Sequence, residues 1–189
     1  MFPSLSEYWR RPPAGYRPGA TLMHVQRDLR NLPGEPLDGA AMRFRSADGA
    51  LDFEVREVVQ AQFLMHLVRT EFVLRVPSSG AGPVRIELNH RGAIRRQGIA
   101  CKVRAGDAGA LASRLQDDPR LLAALMPLDF KRLRIDREGS QWVVRLEHMG
   151  ASEVVNRMPA FRRYIRLTAE QRQHLLQVLR GLRELLVEY

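Results

Sequence analysis

Apolar and polar residues alternate one by one through much of the chain. Met42 and Phe44, for example, are each followed by an arginine. A period of two is typical of strands that bury one face. Turn sequences such as Asp48-Gly49 separate several runs and indicate antiparallel hairpins. The predicted strands lie at 42–45, 51–55, 72–76, 84–88, 99–103, 133–135, 142–146, 154–155 and 161–167.

Residues 55–70 fit two interpretations. Val55, Val59, Phe63 and Leu67 also recur at the spacing of a helical stripe. The β-branched and aromatic content of the segment favours a strand instead. We predict a strand here.

The strongest helix signal lies near the C-terminus. Thr168 and Gln171 form a capping box, in which each side chain bonds a backbone N–H of the first turn. Leu175, Leu179 and the leucines after them then recur on one stripe. A helix over 169–187 follows.

A second longer helix is expected near 108–125. Asp107 is its predicted N-cap, and Pro119 bends or breaks it. A shorter helix at 21–31 ends at Pro33-Gly34.

These elements predict an α+β fold, a mostly antiparallel sheet covered on one face by two longer helices. We expect residues 1–20 to form an extended proline-rich arm and residues 21–189 to form a single α+β domain. The segments 86–93 and 146–151 resemble each other. A duplicated β-β-β-α unit and a chance match of short strands both explain that similarity.

The charge of the chain indicates its class of partner. Its 189 residues carry a net charge of +9, and Lys102 and Lys131 are the only lysines beside many arginines. Arginine binds carboxylates and phosphates through a planar fork. A coding bias toward arginine explains the composition equally well. If the charge is functional, the partner is an anion.

The chain has no features of a secreted or membrane protein. Its N-terminal residues lack the apolar core of a secretory signal, and charged residues interrupt the most apolar stretch, 58–76. Cys101 is the only cysteine, so no internal disulfide can form. We expect a soluble cytoplasmic protein that is not an integral membrane protein. The sequence does not define its oligomeric state.

No motif of the sequence names a reaction. The five histidines are far apart, so we expect no metal, and no phosphate-binding loop or other cofactor motif is present. His148, Ser152 and Glu153 are close in sequence but do not form a nucleophile elbow. We expect His148 to be a half-buried structural residue, and Cys101 to be a small core residue.

The positive charge is concentrated in two strand-rich blocks, 85–104 and 130–166. Alternation points most of their cations away from the apolar positions and sends Arg163 to the apolar side, where it would need a partner. Phe161 and Ile165 are expected to point inward beside it. The predicted anion-binding residues are Lys102, Arg104, Arg132, Arg134, Arg162, Arg163, Tyr164 and Arg166. A solvated face paired with Glu87, Asp136 and Glu147 is the alternative.

Three functions remain open. The favoured hypothesis is a non-catalytic binding protein whose basic sheet face recognises nucleic-acid phosphate or an acidic protein. The alternative is a small hydrolase or transferase with a pocket that uses His148, Ser152 or Arg163. The third is a subunit that associates through a sheet edge or through its C-terminal helix.

Two stretches carry a family resemblance, the Gly15-Tyr16-Arg17-Pro18-Gly19 segment and residues 150–167. With the order of predicted elements, they make the chain similar to an uncharacterised bacterial family of unknown function. The resemblance implies no activity, cofactor or site.

Overall fold

The two longest strands lie side by side at the centre of one antiparallel sheet. The computed structural model describes residues 15–37, 39–61, 65–92 and 96–189, and nine strands are found in these ranges. The strands are β1 (Gly34–Leu37), β2 (Ala41–Arg45), β3 (Asp52–Ala61), β4 (Met65–Pro77), β5 (Val84–Arg91), β6 (Gly98–Ala105), β7 (Phe130–Glu138), β8 (Gln141–Arg157) and β9 (Ala160–Ile165). The helices are α1 (Ala20–Leu29), α2 (Gly109–Asp117), α3 (Pro119–Leu125) and α4 (Ala169–Val187).

The strand order is β1-β2-β3-β4-β8-β7-β5-β6, with β9 attached to β8 outside this path. Every pair is antiparallel. Strands that follow one another in the chain pair directly from β1 to β4, as do β5 and β6. The predicted α+β class with an antiparallel sheet is therefore confirmed.

An irregularity in β8 allows two strands to share one of its edges. Opposite Val68 and Thr70 of β4, the partner residue on β8 changes from Glu153 to His148. Ala151, inside this bulge, has a positive φ of 68° and is fully buried. β7 pairs with the half of β8 before the bulge, and β9 pairs with the half after it.

The core lies against one face of the sheet, which we call the apolar face. Alternate side chains of β2 to β8, such as Phe44, Phe53 and Phe72, join one buried cluster with leucines from all four helices. Among these leucines are Leu22 of α1 and Leu179 of α4. The intervening side chains of the same strands are mostly charged.

The segment 55–70 is extended where the structure describes it, as predicted, but it contains two strands. β3 and β4 pair along most of its length, with Val59 opposite Val68 and Ala61 opposite His66. Cross-strand pairing of β-branched side chains stabilises this arrangement over a lone helix. The sequence pattern did not show the division because apolar residues continue from one strand to the next.

The helix predictions are confirmed except for one cap. Thr168 and Gln171 form the expected capping box at the start of α4. The second helix is broken at Pro119 into α2 and α3. Asp107 is not its N-cap, because α2 begins after Ala108 with no side-chain cap. Asp118 caps α3 instead and accepts a hydrogen bond of 2.7 Å from the backbone nitrogen of Leu121.

The Glu57 carboxylate closes the N-terminus of α1. Its oxygens accept hydrogen bonds from the hydroxyl of Tyr16 at 2.6 Å and from the backbone nitrogens of Gly19 at 3.0 Å, Thr21 at 2.9 Å and Leu22 at 3.2 Å. A negative charge at this helix end accepts hydrogen bonds from the free N–H groups and interacts favourably with the positive end of the helix dipole.

Two fold predictions stay untested. Residues 1–14 of the predicted arm lie outside the described residues. The duplication of a β-β-β-α unit also stays a prediction. Within the described ranges, no helix has the length and apolar character needed to span a membrane.

Replacing Glu57 with Ala should lower the free energy of unfolding by about 1–3 kcal/mol, because buried donors lose a charged acceptor. Urea unfolding measures the change. Glu54→Ala is the matched control, since Glu54 forms half-exposed ion pairs with Arg56 and Arg75. Such pairs contribute about 0–1 kcal/mol. Equal losses in both variants would contradict the role assigned to Glu57.

Replacing Gly181 with Ala should stabilise the protein by about 0.5–1 kcal/mol, because Gly181 lies inside α4 and glycine disfavours helix interiors. An added Cβ would have Leu121 Cδ1 as its nearest neighbour, at 3.9 Å. Gly150→Ala is the opposite control, because its Cβ would lie 2.9 Å from the His148 ring. Thermal unfolding should move the two variants in opposite directions.

Candidate anion-binding surface

The sheet face opposite the core carries most of the predicted cations, and we call it the charged face. Strand alternation places its side chains, and the cross-strand register brings acids and arginines next to each other. Its charged members are Arg43, Arg45, Asp52, Glu54, Arg56, Arg69, Glu71, Arg75, Arg85, Glu87, Arg91, Lys102, Arg104, Arg132, Arg134, Asp136, Glu138, Arg145, Glu147 and, on β9, Arg163.

A buried aspartate organises one part of this face. Asp136 lies 2.8 Å from Arg85 Nε, 2.7 Å from Arg134 Nε and 2.8 Å from Arg145 Nη1. Its side chain is only 4% exposed, so three guanidinium groups surround a carboxylate that has little access to water. The hydrogen bond from Arg85 to Asp136 raises the pKa of that guanidinium further.

Two other acidic residues of the face also lie beside arginines. Glu147 lies 2.7 Å from Arg69, and Glu87 lies 2.8 Å from Arg104. Val73 and Val143 are buried on the same face, opposite Arg145 and Arg75 in the β4–β8 register. The alternative expectation, that Glu87, Asp136 and Glu147 pair with arginines, is confirmed at all three residues.

Glu71 forms no ion pair with any of the described residues. In the β4–β8 register it lies opposite another acid, Glu147, which pairs with Arg69. Partial burial raises the pKa of the Glu71 carboxyl, and the negative charge of Glu147 adds to the shift, while Arg145 opposes it. Ionisation of Glu71 therefore costs more in the folded protein than in the unfolded chain.

The predicted residues of β6 and β7 divide into two groups. Arg104 and Arg134 are engaged by Glu87 and Asp136. Lys102 and Arg132 are exposed. They lie opposite Glu87 and Glu147 in the strand register, but these acids pair with Arg104 and Arg69, and no ion pair within 4 Å joins Lys102 or Arg132 to a described acidic residue. Charge alone could not separate these groups, because the difference depends on which acid each side chain reaches in the folded sheet.

Sequence reasoning missed Arg91, at the end of β5. The strand predicted at 84–88 ends before this residue, whereas Arg91 is the last charged-face position of β5, after Arg85 and Glu87. Its side chain is exposed and has no acidic partner in the ranges described. The alternation that starts at Arg85 was the signal that could have found it.

The predicted orientation of β9 is wrong. Phe161 was expected in the core but is 47% exposed, and Arg163 was expected on the apolar side but is exposed. Arg163 lies opposite Val154, whereas Arg162 and Tyr164 lie opposite Val155 and Glu153. Glu153 contacts Thr21 of α1 at 3.3 Å, so Arg162 and Tyr164 lie on the side of that helix.

Tyr164 and Arg166 fasten the end of β9 to α1. The Tyr164 hydroxyl donates to Asp28 Oδ2 at 2.9 Å, and Arg166 Nε lies 3.5 Å from Asp28 Oδ1. The Tyr164 ring stacks on His24, with the ring centroids 4.7 Å apart. Burial, and then the Asp28 carboxylate, raise the pKa of Tyr164 above its usual range.

Arg162 is likewise engaged inside the molecule. Its Nε lies 3.3 Å from Glu153 Oε1, and its Nη2 donates to the backbone oxygen of Gly15 at 2.5 Å. Its side chain is 35% exposed. Arg163 is the only predicted β9 cation for which the described residues provide no ion pair.

His148 and Ser152 hold the bulge of β8. His148 Nδ1 lies 3.1 Å from the oxygen of Gly150, and the Ser152 hydroxyl donates to the backbone oxygen of His148 at 3.1 Å. Burial lowers the pKa of His148. The serine hydroxyl therefore bonds the histidine backbone rather than its ring, and this geometry does not activate a nucleophile.

A cleft of the described structure lies elsewhere. It has a volume of about 650 Å³ between α3 and α4, and its lining includes Arg114, Arg120, His174 and Arg180. His148, Ser152 and Arg163 do not line it. Burial raises the pKa of the Cys101 thiol to about 11. No group of three or more metal-ligating side chains occurs among the described residues.

The fold is that of an α+β protein whose antiparallel sheet has one apolar face and one charged face. A family model described as "Protein of unknown function (DUF3156)" matches residues 27–186, and the chain belongs to that family. The expected membership of a family of unknown function is thereby confirmed. No curated protein and no solved structure matches the chain.

Replacing Glu71 with Gln should stabilise the protein at pH 7 but not at pH values below the ordinary glutamate pKa of 4.5. The folded-state pKa is raised, so the folded protein binds more protons than the unfolded chain between the two pKa values. The parent therefore loses stability as the pH rises through that window, and Gln removes this loss. The test is urea unfolding of the parent and the Gln variant at pH 7 and at a pH below 4.5. If the free energies of unfolding of the two proteins differ equally at both pH values, the raised pKa of Glu71 is contradicted.

Proposed function

We propose that this protein is a non-catalytic binding protein of the cytoplasm, whose charged face recognises an anionic partner, either nucleic-acid phosphate or an acidic protein. The observation that carries the proposal is a set of four cations on this face, Arg91, Lys102, Arg132 and Arg163, which we call the exposed cations. All four are exposed, and none of them forms an ion pair with an acidic residue of the described ranges, because the glutamates opposite Lys102 and Arg132 pair with other arginines.

The other arginines of the charged face are less suitable for a ligand. Arg134 and Arg145 share the Asp136 carboxylate, so an incoming phosphate would compete with a hydrogen-bonded ion pair of low exposure. Separating a buried pair leaves an uncompensated charge, which is costly. The exposed cations form no ion pair within the described ranges, so a ligand can bind their N–H donors without breaking one.

The proposal also needs an accessible sheet face. Contacts of α1 with β3 and β8, of α2 with β6 and of α4 with β4 support helices that cover the apolar face. The charged face then remains available as a broad surface, and the cleft between α3 and α4 lies away from it. A broad surface with spaced cations suits an extended polyanion better than a small substrate.

The net charge supports the same class of partner. At +9, the chain attracts polyanions over a distance of about one Debye length, which is about 8–10 Å at physiological salt. The ion pairs of the charged face reduce this field locally. The exposed cations therefore determine where an anion makes contact.

Replacing Arg91, Lys102 and Arg132 together with Ser should weaken binding to a DNA duplex and to polyglutamate. Binding is measured by fluorescence anisotropy between about 50 and 200 mM salt, where phosphate contacts dominate the affinity. For the duplex, the slope of log affinity against log salt should become shallower by about 0.9 for each phosphate that the variant no longer neutralises.

The matched control replaces Arg43, Arg45 and Arg104 with Ser, which removes the same charge from residues in ion pairs. Exposed substitutions change stability by less than about 0.5 kcal/mol, so urea unfolding should show both variants folded. The proposal fails if the parent binds neither polyanion, or if the two variants lose affinity equally.

A further inference from the structure

Within the described ranges, one long edge of β9 has no strand beside it. β9 pairs there only with β8, so the other edge of its 6 residues lacks a described backbone partner. Proline, a bulge, extreme shortness and charged side chains are common means of protecting such an edge, and β9 carries only the last of these. Residues Ala160–Ile165 contain no proline, and their register with β8 is continuous.

Arginines flank this edge on both faces of the strand. Arg163 lies on the face opposite the core, whereas Arg162 and Arg166 lie on the side of α1. Arg166 is 64% exposed even though it is near Asp28. No acidic residue occurs between Asn156 and Arg166. The edge therefore combines unpaired backbone groups with positive charge on either side.

The charge pattern disfavours a second copy of this chain as the occupant. Antiparallel pairing of two β9 strands centred on Arg162 or on Arg163 would bring that arginine directly opposite its equivalent in the other copy. Like charges directly opposite each other destabilise a strand pair. A partner strand with acidic residues opposite Arg162 and Arg163 would instead form attractive charge pairs with these arginines.

Phe161 and Ile165 define the remaining chemistry of the edge. Both lie on the same face of β9 as Arg163, two residues to either side of it, and Phe161 is 47% exposed. An added strand places every second side chain on this face. An acidic residue beside Arg163 would therefore be flanked by apolar residues beside Phe161 and Ile165.

We propose that an extended acidic segment of a partner protein binds by adding a strand to the free edge of β9. Main-chain hydrogen bonds would supply affinity, and the alternation of Phe161, Arg163 and Ile165 would supply specificity. The proposal rests on the proposed function and selects its acidic-protein branch. It assigns β9 as the contact strand. The recognised segment has apolar, acidic and apolar residues at every second position, so that they share the face of Phe161, Arg163 and Ile165.

The test uses a short fluorescent peptide of the repeating sequence Val-Ser-Glu-Ser, added to the full chain, so that valine and glutamate alternate along one face of the strand that it forms. A second peptide has the same sequence but carries N-methyl groups on all of its backbone nitrogens, which keeps its charge and removes strand pairing. A third replaces glutamate with lysine. The parent should bind the first peptide at least about tenfold more tightly than the second, because each main-chain hydrogen bond contributes to affinity.

A charge reversal locates the site. Arg163→Glu should weaken the glutamate peptide by about tenfold or more and should improve binding of the lysine peptide. Arg45→Glu is the matched control, because it changes the net charge equally at a residue on β2. That variant should alter both affinities only slightly, and the small effect should disappear as salt rises.

Three results would overturn strand addition. The N-methylated peptide could bind as tightly as the first, Arg45→Glu could act as strongly as Arg163→Glu, or the parent could form a dimer that the glutamate peptide does not dissociate. If DNA and polyglutamate bind but the N-methyl groups have no effect, strand addition alone fails. If the parent binds no anionic probe at all, the proposed function fails with it.

Discussion

The pairing of β4 with β8 is the interaction on which the rest of the sheet depends. The two strands remain in register from Met65 opposite Asn156 to Pro77 opposite Gln141, interrupted only at the bulge. β4 holds β3 on its other edge, and β8 holds both β7 and β9. The bulge at Ala151 makes this sharing feasible, because it divides one edge of β8 into two pairing sites. Ser152 and His148 serve this geometry, and their hydrogen bonds explain two conspicuous polar residues without any catalysis.

The charged face shows how an arginine-rich chain keeps a wide sheet stable. A carboxylate on a neighbouring strand neutralises most of its guanidinium groups, and the aliphatic stems of arginines can cover apolar residues such as Val73 and Val143. The arrangement also separates cations that serve structure from cations that remain free. Arg134 belongs to the first group because Asp136 is within reach, and Arg132, two residues earlier, belongs to the second.

Much of the fold could be predicted from local signals, whereas the site could be predicted only in part. Alternation identified the strands, and the capping box at Thr168 located α4, because both signals act within a few residues. The orientation of β9 could not be read in this way. Its side chains take their direction from the pairing with β8 beyond the bulge and from contacts with α1, which is distant in sequence. The division between Arg132 and Arg134 likewise depends on which carboxylate each side chain reaches in the folded sheet, which the sequence alone does not display.

The Asp28 carboxylate has a consequence for the order of folding. It accepts hydrogen bonds from Tyr164 and from the backbone of Leu167, residues separated from it by 136 and 139 positions. During synthesis, α1 leaves the ribosome long before Tyr164 and Leu167 are made. The Asp28 carboxylate therefore stays exposed to water until the C-terminal part of the chain folds against it. Contacts of such long sequence separation slow folding, since the chain loses loop entropy before they form. The N-terminal helix is therefore made among the first elements and secured among the last.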